Sequence, residues 1–245
     1  MAWTLVEWEF VVRLARRLRL LARLADSLDA AGLLARVPDV ARRHLVAERQ
    51  VSRFRTAALV WALERIRSTL GPVGYPCVLL KGAAYEGQAL PIARGRLPSD
   101  VDVLVPRANL DTFQRALVAD GWKEVALDAE DQRYYRDYSH ELPPMRHPLH
   151  AIELDVHHDI LPPVARTRVD IERMFEQVQP SAWPGWCVLQ PADQVLHSAA
   201  HLFFDSQARD RLRDLIDLDG LLRHFGGDQA AFFDELIARA IQLGL

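Results

Sequence analysis

Two acidic residues separated by a single valine interrupt an apolar segment of the chain, RGRLPSDVDVLV at residues 94–105. Side chains alternate across a β-strand, so Asp100 and Asp102 are expected to share one face while the valines between and after them enter the core. Two like charges about 7 Å apart repel each other, and burial makes both more costly. A divalent cation such as Mg²⁺, which binds proteins through one or two carboxylates, would neutralise them. The structural alternative is that Asp100 closes a turn and Asp102 pairs with Arg94 or Arg96.

A second strand with one polar face is predicted at residues 151–160, AIELDVHHDI. Glu153, Asp155 and His157 alternate with apolar residues, which is typical of a half-buried strand. Together with the D-x-D pair, Asp155 gives three carboxylates on two strands, and such a set can hold two metal ions for phosphoryl or nucleotidyl transfer. Two alternatives stay open here: Glu153 is the third acid, or Asp155 only pairs with His157.

A strand, a tight turn and a helix are predicted about twenty residues before the D-x-D pair. Residues 77–80 form a short apolar strand, Lys81 and Gly82 turn out of it, and residues 83–90 form a helix. Such a turn can bring backbone N–H groups and a lysine against phosphate oxygens. The three segments therefore indicate one site for a phosphate-bearing substrate.

Helical patterns lie on both sides of this strand-rich segment. Apolar residues recur every three or four positions from Leu5 to about Leu70, which predicts two to four helices, and the run at 12–36 is expected to be a bundle helix rather than a membrane-surface helix. The glycines and prolines of GPVGYP at 71–76 end this region. The other predicted elements are a helix from Asn109 to about Asp120, a strand at 122–127, a hairpin or active-site loop at 128–150, and helices at 169–177, 192–204, 208–225 and 229–243.

These elements predict an α+β protein with a small central mixed β-sheet between N-terminal helices and a C-terminal helical bundle. The expected division is an N-terminal helical region (1–72), a core (73–162) and a C-terminal helical region (163–245) that walls the cleft. Strands are expected only in the core.

Composition limits the partners of this 245-residue chain. A net charge of −3 and a pI near 6.3 provide no general basic field, so a nucleic-acid partner is not favoured. No apolar run approaches the ~18 residues that span a bilayer, so no membrane partner is expected. Cys77 and Cys187 have no CxxC spacing, which indicates neither a disulfide framework nor a zinc knuckle and fits a reducing cytoplasm.

Three blocks in this order resemble the DNA polymerase beta-like nucleotidyltransferase superfamily, and more narrowly its bacterial uncharacterised nucleotidyltransferase family. They are LLKGAAY at 79–85, RLPSDVDVLV at 96–105 and IELDVHHDI at 152–160, with weaker agreement in PADQVLHSAAHLF at 191–203. The resemblance implies transfer of a nucleoside monophosphate from an NTP to a hydroxyl of an acceptor, with release of pyrophosphate. It also implies a polymerase beta-like core and Mg²⁺ or Mn²⁺ as cofactor, but it identifies neither the acceptor nor the base.

The resemblance further implies roles for single residues. Asp100 and Asp102 are the paired metal ligands, and Asp155 is the third carboxylate, which bridges the metal or accepts the proton of the acceptor hydroxyl. Lys81 and Gly82 occupy the turn where the superfamily usually has Gly-Ser, so a full charge is expected in place of a serine hydroxyl at the phosphate. The nucleotide-binding residues would be Lys81, Gly82, Arg96 and Ser99.

Several supporting assignments are left with alternatives. Arg96 is either a triphosphate contact or the ion-pair partner of one of the paired acids. His157 is expected to support Asp155 by a hydrogen bond, with Glu153 beside them on the same face. His140 either reaches the acceptor or the nucleotide from its loop or is an ordinary surface histidine.

Other polar groupings are interpreted structurally. His197 and His201 lie four residues apart but lack the glutamate of an H-E-x-x-H motif, so core or cleft-lining histidines are expected rather than a zinc hydrolase. Asp214 and Asp217 are expected to form solvated pairs on a helix. Two other functions also fit the sequence: a nucleotide-binding or partner-binding module without turnover, suggested by the missing Gly-Ser, and a toxin-antitoxin component with a protein partner.

Overall fold

The computed structural model of the chain describes residues 3–125, 130, 133–135, 138–149, 152–205, 211–227 and 230–245. Within them, one mixed β-sheet is accompanied by helices from both ends of the chain, which confirms the predicted α+β class. Parts of several predicted elements lie outside the described residues, namely of the strand at 122–127, the loop at 128–150, the strand block at 151–160 and the helices at 208–225 and 229–243.

Helices begin and end close to several of the predicted positions. The N-terminal region contains three α-helices and a short 3₁₀ turn at Leu34–Arg36, within the predicted two to four helices. The α-helices are α1 (Leu5–Arg17), α2 (Leu21–Ala30), α3 (Asp39–Leu70), α4 (Lys81–Gly87), α5 (Leu110–Asp120), α6 (Ile171–Phe175), α7 (Pro191–Ala200), α8 (Arg211–Leu221) and α9 (Ala230–Leu243).

The sheet contains two five-residue strands and several two-residue strands. The strands are β1 (Val78–Leu79), β2 (Asp100–Leu104), β3 (Lys123–Glu124), β4 (Met145–Arg146), β5 (Glu153–His157), β6 (Gln179–Pro180) and β7 (Cys187–Val188). Their order is β3-β4-β5-β2-β1-β7-β6, in which β2 runs parallel to β5 and β1 parallel to β7. The β6–β7 hairpin was missed by the sequence analysis, because two-residue strands show no alternation to detect.

The central strands β2 and β5 divide their side chains between the core and a polar face. Val101 and Val103 of β2 are fully buried in the main apolar cluster, together with Leu63 from α3 and Phe113 from α5. This packing fixes the orientation of β2, so its two acids must point to the opposite face. The prediction made from the alternation of the D-x-D strand is therefore confirmed.

Apolar side chains of the N-terminal helices form a separate cluster, and a break between two of these helices lies near the sheet. Thr4 and Glu7 form a reciprocal capping box that starts α1. The expected single helix at 12–36 is wrong, because α1 ends at Arg17 and α2 begins at Leu21. Arg19, between them, has a positive φ of 57°, a conformation that an α-helix does not contain. This break brings Arg19 towards the polar face of the sheet.

Two smaller expectations concern the cysteines and the membrane. Cys77 and Cys187 are both free thiols, as the absence of paired spacing predicted. In the part of the chain that the structure describes, no helix combines the length and apolar character required to cross a membrane.

Candidate active site

The polar faces of β2 and β5 bring their carboxylates side by side. In the parallel register, Asp102 is the cross-strand partner of Asp155, and Asp100 is the partner of Glu153. Adjacent strands are about 4.8 Å apart, so the paired side chains are immediate neighbours. They open into a polar cavity of about 580 Å³ whose lining residues are Arg19, Lys81, Arg96, Ser99, Asp100, Asp102, Glu141, Arg146, Glu153, Asp155, His201, Arg213 and Asp214.

Asp102 is the most strongly compensated of the acids. Lys81 Nζ donates a hydrogen bond to Asp102 Oδ1 at 2.7 Å, and His157 Nε2 lies 3.1 Å from the same oxygen. Burial raises the pKa of Asp102, but the charge of Lys81 and the hydrogen bond from His157 outweigh it and hold that pKa well below its ordinary value. Asp102 is therefore a buried carboxylate anion, and both of these contacts use one of its two oxygens.

Asp155 is much less compensated than its neighbour. Within the described part of the chain, its buried Oδ1 has no hydrogen-bond partner. Burial, followed by the negative charges of Asp102, Asp100 and Glu141, raises the pKa of Asp155 to about 9. An unsatisfied buried oxygen facing further carboxylates is the electrostatic environment that a bound cation would relieve.

Lys81 and Gly82 are placed differently from the sequence prediction. They are the first two residues of α4 rather than a turn that precedes the helix, and Lys81 has a positive φ of 44°. Such a conformation is strained in a lysine and is found most often at functional sites. Burial lowers the pKa of the ammonium, but Asp102 and Asp100 together raise it above its ordinary value, so Lys81 is a cation.

Arg96 connects the cavity to helix α8. Its Nε donates to Asp217 Oδ2 at 2.9 Å, and Arg23 of α2 donates to Asp217 Oδ1 at 2.8 Å. The ion-pair partner is thus neither of the β2 acids that the sequence analysis considered. The guanidinium also lies directly against Gly82, where a Cβ would overlap Nη1 and lie 3.0 Å from Cζ. Gly82 is consequently required for the close packing of Arg96, and it is covered by that side chain.

The interpretation of Asp214 and Asp217 as solvated pairs is wrong. Both are buried, with 5% and 2% of their surface exposed. Asp214 lines the cavity with Arg213 and lies 3.5 Å from His201, measured between Oδ2 and Nε2. Local spacing suggested solvated pairs, but Asp217 is paired with arginines from distant segments, and Asp214 is buried beside Arg213 and His201.

The remaining nucleotide-binding and acidic candidates also line the cavity. Ser99 Oγ accepts a hydrogen bond from Arg19 Nη1 at 3.3 Å. Glu153 forms an ion pair with Arg146, which covers it on the solvent side. Glu153 is thus already compensated, whereas Asp155 is not, and this difference favours Asp155 as the third acid.

The histidines depart from the predicted contacts. His157 contacts Asp102 rather than Asp155, and its Nδ1 lies 3.3 Å from Glu141 Oε2. His140 is buried, with 8% of its surface exposed, so the surface alternative is wrong, and its ring packs 5.4 Å from that of His157. His197 is buried and His201 lines the cavity, which confirms the core or cleft-lining interpretation.

Comparison with known proteins supplies the family. A family model described as "Uncharacterised nucleotidyltransferase" matches residues 4–245, nearly the whole chain. The chain belongs to this family. No curated protein and no solved structure was found to match it. Membership supports nucleotidyl transfer as the general activity and a nucleotide as the substrate class.

The site of this nucleotidyltransferase family member fits a divalent cation. Asp155 offers an oxygen that receives no hydrogen bond from the residues that the structure describes, Asp100 lines the cavity beside it, and the two contacts of Asp102 leave its second oxygen for a ligand. Hard oxygen donors of this kind suit Mg²⁺ or Mn²⁺.

Sequence reasoning missed four residues that line the site of this family member: Arg19, Glu141, Arg146 and Arg213. Glu141 directly follows His140, which was singled out, but a lone glutamate in a polar loop carries no distinguishing pattern. The arginines are three among 28 in the chain, so only the folded structure separates them from the rest.

Proposed function

We propose that this chain transfers a nucleoside monophosphate from an NTP to a hydroxyl of an acceptor and releases pyrophosphate. The proposal rests above all on the cross-strand pairing of Asp102 with Asp155, next to Asp100, inside a cavity also lined by cationic side chains. Membership of the nucleotidyltransferase family supports the same reaction class. A volume of about 580 Å³ is in the range of small-molecule sites, which suits a nucleotide.

In this proposal Asp100, Asp102 and Asp155 hold Mg²⁺ or Mn²⁺. The metal, when bound, supplies Lewis-acid stabilisation of phosphate charge and lowers the pKa of an attacking hydroxyl. Asp155 is the carboxylate best placed to approach the acceptor hydroxyl, because its Oδ1 is not engaged by another side chain in the described residues. It would either share the metal or accept the hydroxyl proton.

The cations of the cavity would bind and orient the triphosphate. Lys81 contributes a point charge and Arg96 a planar guanidinium whose Nε is held by Asp217, so its orientation is fixed before substrate arrives. Ser99 lies next to the D-x-D pair and lines the same cavity, where its hydroxyl would contact a phosphate oxygen. Gly82 acts through Arg96 by allowing the guanidinium to lie against the start of α4.

Isothermal titration calorimetry with Mg²⁺–ATP and the other Mg²⁺–NTPs tests the proposal. The wild-type chain is expected to bind at least one of them, and the double variant Asp100→Ala/Asp102→Ala is expected to lose that binding. Asp219→Ala/Asp234→Ala is the matched control, since it removes the same charge from exposed positions. Absence of heat with every NTP, or equal binding by the D-x-D double variant, would contradict the proposal.

A nucleotide-binding module without turnover is the second candidate, because Lys81 already neutralises Asp102 where a metal ion would bind. The two candidates differ in the release of pyrophosphate. Release from an NTP by the wild type in the presence of a panel of hydroxyl acceptors, lost in Asp155→Asn, supports transfer. Retained Mg²⁺–NTP binding without pyrophosphate release across that panel favours the binding module.

A further inference from the structure

A group of potential metal ligands includes Glu141 of the cavity lining and His157, which contacts Asp102. His140, Glu141 and His157 each offer one ligand atom, and these atoms all lie within 4.8 Å of one another. The group is separate in composition from the carboxylates of the D-x-D site, because two of its three members are imidazoles. Both histidines are buried, so bulk water has little access to their ring nitrogens.

Backbone hydrogen bonds hold the three residues in place. Glu141 forms an antiparallel bridge with His157, and His158 N donates to His140 O at 2.9 Å. Leu142 N donates to Val156 O at 2.8 Å, which fixes the same segment one step further along β5. The ligand atoms therefore sit on a backbone that is tied to the sheet on both sides of the group.

The spacing suits a small tetrahedral ion. His157 Nδ1 and Glu141 Oε2 are 3.3 Å apart. Zinc bonds to nitrogen and carboxylate oxygen are about 2.0–2.2 Å long, so neighbouring ligand atoms of a tetrahedral site are about 3.3–3.5 Å apart. The third ligand atom, on His140, lies within 4.8 Å of the other two.

The two ring nitrogens of His157 contact different carboxylates. Its Nε2 lies 3.1 Å from the carboxylate of Asp102, an arrangement that favours an N–H at Nε2. Its other ring nitrogen, Nδ1, faces a carboxylate oxygen of Glu141. A carboxylate that orients a histidine whose other nitrogen binds metal is a recurrent arrangement in metalloproteins.

We propose that His140, Glu141 and His157 bind one divalent cation of the zinc class. Two imidazole nitrogens and one carboxylate form a donor set that suits Zn²⁺ and Co²⁺, whereas Mg²⁺ prefers oxygen ligands only. The ion would hold Glu141 against the wall of the cavity and fix the ring of His157 behind Asp102. This site does not depend on the proposed nucleotidyl transfer.

Titration of the metal-free chain with Co²⁺ tests the site by its visible absorption, without any use of activity. Four-coordinate Co²⁺ gives strong bands that six-coordinate Co²⁺ among carboxylates and water does not. The wild type is expected to develop these bands with one equivalent of Co²⁺, and added Zn²⁺ is expected to remove them. His140→Gln and Glu141→Gln are each expected to weaken Co²⁺ binding at least as much as loss of an outer partner commonly does, about 10- to 100-fold.

Two control variants separate this site from its surroundings. Asp155→Asn removes one neighbouring carboxylate and keeps all three proposed ligands, so the Co²⁺ absorption bands are expected to persist. His201→Gln removes another histidine that lines the cavity and is also expected to keep them. Circular dichroism of each variant verifies that it is folded.

Three results would overturn the proposal. One is the absence of strong bands in the wild type, which indicates that these three side chains do not bind a four-coordinate ion. Another is loss of the bands in Asp155→Asn with retention in both ligand variants, which places the ion among the carboxylates. The third is loss in His201→Gln alone, which assigns the ion to a different histidine.

Discussion

Asp155 combines burial, like charges nearby and an oxygen that has no hydrogen-bond donor among the described residues. Each of these features makes the carboxylate costly in the folded chain, and natural proteins retain such costs mainly at functional positions. Glu153, two residues earlier on the same face, is instead paired with Arg146. The contrast between two acids on one strand gives a direct test of which is the third carboxylate of the site.

Asp155→Asn is expected to leave the free energy of unfolding unchanged or to raise it by up to about 2 kcal/mol, because it removes a buried acid whose pKa is raised in the folded chain by burial and by neighbouring carboxylates. The same variant is expected to bind Mn²⁺ much more weakly, by about tenfold or more, since it loses a charged ligand. Urea denaturation measures the first quantity, and electron paramagnetic resonance of free Mn²⁺ measures the second.

Glu153→Gln is the matched control for that pair of measurements, and it is expected to change neither quantity appreciably. If Glu153→Gln weakens Mn²⁺ binding and Asp155→Asn does not, the third acid has been assigned to the wrong residue.

Lys81 competes with a metal ion for Asp102. Lys81→Met is expected to strengthen the binding of Mn²⁺ alone several-fold, because the carboxylate then has no ammonium 2.7 Å away. The same change is expected to weaken the binding of a Mg²⁺–NTP, since a positive charge is lost from the phosphate site. Mn²⁺ resonance and calorimetry measure the two affinities, and a change of both in the same direction would contradict this role of Lys81.

The paired acids were predictable from the sequence, but their partners were not. Alternation of valine and aspartate identifies a strand with a charged face whatever surrounds it. Arg96 and Asp217 are 121 positions apart in the chain, and Lys81 and Asp102 are 21 apart. Without a structure, each acid could be matched with many of the 28 arginines, so contacts over such separations are not readable from local pattern.

At the scale of elements, Asp217 joins three segments in one buried contact. It accepts from Arg23 of α2 and from Arg96, which precedes β2, while belonging itself to α8. Removal of one member of a buried ion pair leaves an uncompensated charge, which commonly costs about 3–5 kcal/mol. The contact therefore contributes both to stability and to the position of Arg96 in the cavity.

Asp217→Asn is accordingly expected to lower the free energy of unfolding by about 3 kcal/mol or more in urea denaturation. Asp219→Asn, two residues along α8, is the control, because its pair with Arg223 is exposed and is expected to contribute nothing measurable. Equal stability of the two variants would show that the buried network does not hold α2, β2 and α8 together.

The sequence predicted the bounds of some helices and strands more accurately than those of others. Helix α5 ends at the predicted Asp120, where Gly121 has a left-handed conformation, and it begins at Leu110, one residue after the predicted start. The start of α4 was placed too late, because glycine at its second position resembles a turn when the packing of Arg96 is not known. Strands β6 and β7 are too short to show a period, and β7 exists because β1 offers it a parallel edge.

At the scale of the whole molecule, the residues that line the cavity come from the N-terminal, central and C-terminal parts of the chain. Arg19 comes from the N-terminal helices, the paired acids from the central strands, and Arg213 from the C-terminal helices. The division into 1–72, 73–162 and 163–245 remains a prediction. Residues from all three of these regions line one cavity, whether or not the regions fold independently.

A fragment of residues 73–162 is expected not to unfold cooperatively on its own. It lacks β7, the parallel neighbour of β1, and also Leu59, Leu63 and Ile66 of α3, which belong to the main apolar cluster. Thermal denaturation followed by circular dichroism measures this, with the full chain as the control. A sharp transition in the fragment would indicate that the central region is an autonomous domain.

The parallel alignment of β2 and β5 also restricts how this chain can change in length. Deletion of a single residue inside β5 would turn Asp155 towards the apolar layer and expose Leu154 or Val156 in its place, because strand side chains alternate. One such event would remove the third carboxylate and open the core at the same time. Insertions and deletions are therefore expected to be excluded within these two strands.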